Sequence, residues 1–396
     1  MEQVNAKDVL PMRWFARSYE MHDYNLLFIR WLADFCGVDV LYERYRFSYK
    51  TAMCVCCAFF GAVFTIYSFF YYYPDIYKMC EVFALFGIVL QGSPKLYFAY
   101  YHQRFYRLQC ERLRNLHYKY RNHEKLHAKL LLLTNRIHIL TKLLALVFVF
   151  GALGYTLYPL YMYFAHGELV LIDAMRLPWI DADTYNGYVV TTIVQIVMLY
   201  VGCLGMAAAD TIILLFVANL IAYVYVFKND LEELNTMVNA EDRNEQQIRR
   251  KVRIICSQHQ DIIEYESDLD ERYIVICFTQ IIGSVSSLSG YLFLVYMVNF
   301  IPGYGLILAT ICQLLEFCLL GTVLTVKNEE IIQAIYNAHW YRLQRPELAC
   351  FALMLHKSQN FIEMTVGGFA PLNLETFVAI MNRIYTYFMM LISFIE

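Results

Sequence analysis

Charge is scarce in this 396-residue chain: 17% of residues are Asp, Glu, Lys or Arg, against 59% hydrophobic and 17% aromatic. Soluble domains carry about 25% charged residues. With a mean hydropathy of +0.41, the composition excludes an ordinary soluble fold. No Asn-x-Ser/Thr acceptor occurs, so no glycosylation site marks an outer loop. An apolar leader is also missing: the first 50 residues mix Glu2, Asp8, Glu20, Asp23 and Asp34 with bases. The expectation is therefore that no signal peptide is cleaved and that the first apolar span inserts the chain. No internal repeat is visible, which leaves an inverted-repeat transporter plan without support.

Long apolar runs are what the chain has instead. Thr51 to Tyr73 and Leu143 to Ala165 are each 23 residues without a charge, and about 20 suffice to cross the hydrocarbon core. Seven spans begin near Thr51, Met79, Ile137, Tyr185, Tyr273, Tyr304 and Leu372. The segments before span 1 and between spans 2–3, 4–5 and 6–7 hold 7, 9, 7 and 4 of the 32 Lys and Arg, whereas the opposite side holds only Lys78 and Arg176. Cationic loops stay in the cytosol. The sequence thus predicts an all-α membrane protein of seven transmembrane helices, N-terminus cytosolic and C-terminus extracellular, the reverse of a G-protein-coupled receptor. Of the 12 cysteines only Cys80 falls near an outer end, which excludes an extracellular disulfide framework, and Cys54, Cys56 and Cys57 read as packing residues.

Two runs are too long for one crossing. From Tyr185 to Phe227 the only charge is Asp210, and a straight helix of 43 residues would measure about 64 Å. Residues 211–227 then extend past the inner interface as an apolar helix that must be buried against protein, which predicts an intracellular helical anchor bundle and subunit association there. Tyr273 to Leu315 is broken by Asn299 and Pro302-Gly303 into two spans with a short outer turn. Residues 11–35 alternate aromatics with charges, as an amphipathic element on the inner membrane face does. The domain reading is 1–50 cytosolic amphipathic segment, 51–345 spans 1–6, 346–371 a cytosolic helix of the bundle, and 372–396 the last span.

His123-Glu124-Lys125-Leu126-His127 fits H-E-x-x-H, which on a helix could hold Zn²⁺ for a membrane hydrolase. Its surroundings (Arg114, Lys119, Arg121, Lys125, Lys129) oppose a dication, and a solvated basic helix is the simpler reading. Asp210 and Glu316 read as members of a structural salt bridge in the inner bundle, and Lys95 as a lysine that snorkels inward.

The outer halves of spans 2, 3, 4 and 6 support two readings. Gly151, Gly154 and Tyr158 form one stripe on span 3, with Tyr155 beside it; span 2 offers Phe83, Phe86, Gly87 and Leu90; span 4 offers Tyr188, Thr191, Thr192 and Gln195; span 6 offers Tyr304 and Leu308. Small residues mark tight helix packing, or the set lines a dry aromatic pocket for a small apolar ligand.

At the C-terminus, Gly367-Gly368-Phe369, Pro371-Leu372-Asn373, Phe377 and Tyr385-Thr386-Tyr387-Phe388 resemble the end of insect odorant receptors, as does Ala334–Tyr336 with Trp340. Thr386-Tyr387 and Phe394 are similar to the Thr-Tyr…Gln-Phe signature of the related gustatory receptors, with Ser393 where that signature has Gln. The resemblance implies an odorant-binding subunit of a ligand-gated, non-selective cation channel in the plasma membrane of olfactory neurons. Such subunits form a heterotetramer with co-receptor subunits, among membrane lipids, with no cofactor and no nucleic acid. It also implies a pore lined by the last helix, with hydrophobic gate positions at Met390 and Phe394 and Ser393 beside them.

Overall fold

The computed structural model describes residues 17–39, 41 and 47–393. The first part of the amphipathic 11–35 element and Phe394 lie outside them. Ten α-helices follow in chain order: α1 Ser18–Phe35, α2 Tyr49–Tyr71, α3 Ile76–Tyr101, α4 Gln103–Lys119, α5 Glu124–His166, α6 Tyr185–Asn239, α7 Glu245–Val298, α8 Ile301–Tyr336, α9 Arg345–Ser358 and α10 Leu374–Ser393. Seven of them (α2, α3, α5, α6, α7, α8 and α10) are long and apolar enough to cross a membrane.

Local chemistry sets the boundaries. Ser48 and Thr51 form a reciprocal capping box at α2. Asp75, Thr184 and Asn244 cap α3, α6 and α7 with side-chain oxygens. Asn299 adopts a left-handed φ of 55° that ends α7, and Pro302 opens α8. Between α9 and α10 the Gly367-Gly368 turn, both residues at positive φ, closes a hairpin of two-residue strands pairing Thr365 with Pro371 and Val366 with Ala370.

The core sits at the end of the bundle remote from the 167–184 loop. Every residue from Thr211 to Leu220 of α6 is buried, enclosed by α1, α4, α5, α7 and α8. The Phe216 ring meets Phe105, Tyr106 and Tyr273 at centroid distances of 5.8, 5.2 and 6.4 Å, and the Tyr265 hydroxyl donates to the Phe216 carbonyl at 2.9 Å. The expected burial against protein is present, but the protein is the chain itself. Leu214 and Phe216 are 6% and 0% exposed within one subunit, so they are core residues and not the subunit contact that the long apolar run suggested.

Lys95 also departs from expectation. It does not snorkel: it is buried, with Nζ 2.5 Å from Asp210 Oδ1 and 5.0 Å above the Phe317 ring. Gln313 Nε2 donates to the other Asp210 oxygen at 2.6 Å. Pairing compensates two charges that burial would otherwise disfavour. Glu316 does not join this salt bridge, and neither of its carboxyl oxygens has a hydrogen-bond partner in the structure.

Helix α1 packs through Met21, Ile29 and Leu32, and its His22 ring stacks on His117 of α4 at 5.2 Å. Both rings are buried. Loss of water pushes His22 down to about 3 and His117 to about 4, so both are neutral.

Candidate functional site

A cavity of about 250 Å³ lies between α1, α2, α3, α5, α6 and α8. Its walls are apolar and built largely from small side chains: Ala58 and Gly61 from α2, Gly92 from α3, Gly151 and Ala152 from α5, Gly202, Gly205, Ala208 and Ala209 from α6. Ile88, Leu199 and Leu306 add bulk, and Lys95 and Gln313 form a polar inner floor.

The outer end is closed by the loop between α5 and α6, residues 167–184. Gln195 holds this loop down. Its Nε2 lies 3.0 Å from the Asp173 carbonyl, 2.9 Å from Asp173 Oδ1 and 2.9 Å from the Met175 carbonyl, and its Oε1 accepts from Ile172 N at 3.2 Å. Arg176 ties the loop to α2: its backbone N–H donates to Ser68 Oγ at 2.7 Å and Nε to the Tyr72 hydroxyl at 2.9 Å. Its guanidinium also pairs with Asp183 at 3.0 Å, which raises the Arg176 pKa and holds Asp183 below the usual carboxylate range.

The residues selected from sequence divide into two groups. Gly151, Tyr155 and Gln195 line the cavity. Gly87 does not; it sits in the seam between α3 and α7, where an added Cβ would collide with Ser287 Oγ and the Gly283 carbonyl. Ser286 and Ser287 donate across the same seam to the Phe83 and Ala84 carbonyls at 3.0 and 2.8 Å. There the packing reading of small residues holds. Phe83, Gly154, Tyr304 and Leu308 point outward, each on an exposed face; the space around Gly154 is the outside of the helix. Phe86 and Leu90 are half-buried away from the lining. Tyr158 meets Phe300 edge-on at 6.0 Å, and the Tyr188 hydroxyl donates to the Val170 carbonyl at 3.2 Å, another tie on the outer loop. Thr191 is buried and Thr192 half-buried, outside the lining, with unpartnered hydroxyls.

Sequence reasoning missed the α2 wall, the loop residues Asp173 and Met175, and the inner stripe Gly202, Gly205 and Ala209 of α6. The stripe carried a legible signal, small residues at helical spacing on span 4. The loop carried none.

On α10, Met390 is half-exposed and Ser393 Oγ donates back to the Met390 carbonyl at 2.8 Å. His123 and His127 each make a structural contact. His123 is the N-cap of α5, its Nδ1 accepting from Leu126 N at 3.4 Å, and His127 Nε2 accepts from Ser18 N at 3.3 Å. Among the described residues no three His, Cys, Asp or Glu side chains converge to hold a metal.

Comparison with known proteins agrees with this architecture. The putative odorant receptor 83c of Drosophila melanogaster is 21% identical over 381 residues, 92% of this chain and 96% of that protein. The odorant receptor coreceptor of Aedes aegypti is 19% identical over 156 residues, 38% of this chain and 33% of the coreceptor. The structure of the olfactory receptor OR5 from Machilis hrabei in complex with eugenol superposes with a TM-score of 0.76 at 14% identity, covering 95% of this chain and 99% of that one. A family model described as 7tm Odorant receptor matches residues 48–385. With seven membrane-spanning helices and that match over most of its length, the chain belongs to the insect odorant receptors.

Proposed function

We propose that this chain is the odorant-binding subunit of a ligand-gated, non-selective cation channel in the plasma membrane of olfactory sensory neurons. Its N-terminus lies in the cytosol and its C-terminus outside, as the distribution of Lys and Arg supports. The ligand occupies the cavity beneath the 167–184 loop, and the observation that carries this reading is the cavity itself. It is apolar, it lies between six helices, and its outer end is covered by a loop that polar ties hold in place. Burial at about 25 cal/mol per Å² dominates binding there.

Co-receptor subunits complete a heterotetramer around a central pore lined by α10. Only 6% of that helix's most apolar stretch is buried within the chain, so neighbouring subunits or lipid must cover the rest. Met390 and Phe394 would form a hydrophobic constriction that blocks hydrated ions. The test is current recorded from cells expressing the chain alone, the co-receptor alone and both. An odorant-evoked cation current is expected only with both. A panel of volatiles that evokes none, at normal surface expression, would overturn the reading.

A further inference from the structure

At its outer end the cavity meets a carboxyl group that no cation touches. Asp173 lines the cavity. It accepts hydrogen bonds from Met175 N at 2.8 Å and Gln195 Nε2 at 2.9 Å, both on Oδ1. Among the described residues Oδ2 receives neither a hydrogen bond nor an ion pair. The groups facing Asp173 are Lys78 and Glu81 from α3, Tyr155 from α5, Gln195 from α6 and Tyr291 from α7. Lys78 is the one cation in that set, and it already pairs with the buried Glu81 at 3.1 Å. Arg176, on the same loop, is engaged by Asp183. Partial loss of water, with the Glu81 charge beside it and only partly offset by the Met175 N–H and Lys78, pushes the Asp173 carboxyl up to about 7.

A second observation comes from Tyr155, whose side chain also lines the cavity. The residue is 2% exposed, and its hydroxyl, beside that of Tyr291, has no hydrogen bond of acceptable geometry. Two unpaired oxygens thus lie at this end, Asp173 Oδ2 as an acceptor and the Tyr155 phenol oxygen, which can accept as well as donate. An alkylammonium group is a pure donor with three N–H bonds. An alcohol brings one donor and no charge.

We propose that Asp173 and Tyr155 form a head-group subsite for a protonated alkyl amine, whose ammonium lies against Asp173 Oδ2 and the Tyr155 oxygen while its chain runs down between Ile88, Ala152, Leu199 and Leu306. This rests on the cavity being the ligand site. In water near neutral pH a volatile amine already carries its proton, since an ammonium of the lysine type keeps it up to about pH 10.4. As the ammonium docks, the share of Asp173 that is protonated gives its proton to water: the carboxyl O–H bond breaks as an O–H bond to water forms, leaving a carboxylate–ammonium pair.

Equilibrium binding of radiolabelled hexylamine to the purified receptor complex tests this, with hexan-1-ol as competitor and currents recorded in parallel. Asp173→Asn retains an oxygen for Met175 N and Gln195 but puts a donor where Oδ2 was. It should weaken hexylamine roughly ten- to hundredfold, and hexan-1-ol should compete poorly with hexylamine on the unaltered receptor. If Asp173→Asn does not reach the membrane, Tyr155→Phe carries the test, with an expected loss of about fivefold. Hexylamine that binds no better than hexan-1-ol, or that is indifferent to the variant measured, overturns the subsite. Binding that follows these rules without evoked current supports the subsite and removes the channel reading. Current evoked by hexan-1-ol but not by hexylamine removes the subsite and leaves the channel reading.

Discussion

Replacing Lys95 with Met should injure the protein far more than the volume change suggests. The two side chains have similar length, so packing is nearly conserved. The electrostatics are not: Asp210 is fully buried and would keep only the Gln313 hydrogen bond at 2.6 Å. Breaking a buried ion pair from one side costs about 3–5 kcal/mol, because the remaining charge is uncompensated. The double variant Lys95→Met/Asp210→Asn removes that charge and keeps an acceptor for Gln313, so it should recover most of the loss. Thermal unfolding of detergent-solubilised receptor, read by size-exclusion profile after heating, gives the comparison. The single variant should lose its monodisperse peak at a lower temperature than either the unaltered protein or the double variant. A Lys95→Met receptor that melts like the unaltered one would refute the argument, since Asp210 would then need no counter-charge.

Other outcomes follow from the same geometry. Gly151→Leu adds an isobutyl group at a cavity wall where nothing lies within 4 Å of an added Cβ. It should abolish the response to the best cavity-bound agonist at normal surface expression, whereas Gly154→Leu, on the outer face, should leave the dose–response curve in place. Met390→Ser should raise ligand-independent current or change ion permeability in patch-clamp recordings, and unchanged values would assign the constriction to the co-receptor subunits. The stacked His22–His117 pair sets a pH dependence. Because both folded-state values are depressed below the free-histidine value of 6.5, the unfolded state binds more protons between about pH 4 and 6.5, and stability falls as pH drops through that window. Amide exchange of α1, corrected for intrinsic rates, should therefore speed up from pH 7.5 to pH 5.5, and His22→Gln should flatten the trend.

The fold was legible because membranes impose simple rules. Length and hydropathy identified the spans, and the over-long run from Tyr185 marked the helix that continues into the core. The site was legible only in part. Gly151, Tyr155 and Gln195 share a wall, but their neighbours on the same helices turn elsewhere, since one-residue steps rotate a side chain by about 100°. Gly87 and Gly151 look alike in sequence. What separates them is the partner helix, with Gly283 and Ser287 crossing at one and open space at the other. Such pairings are non-local, and so is the Lys95–Asp210 contact across 115 positions. Asp173 was invisible for another reason: only the folded loop brings it over the cavity.

The unbroken course of α6 has one more consequence. Its 55 residues contain no proline and measure about 82 Å at 1.5 Å per residue. Gln195, which grips the outer loop, and Phe216, which anchors the inner core, therefore belong to one rigid shaft. Their relative orientation is set by residue count alone. Inserting one alanine after Ala209 would turn the lower part by about 100° against the upper, so loop and core could not both be seated. Removing a residue there would turn it the other way. The shaft behaves as a gauge rod: it fixes how far the core stands from the 167–184 loop and which way it faces.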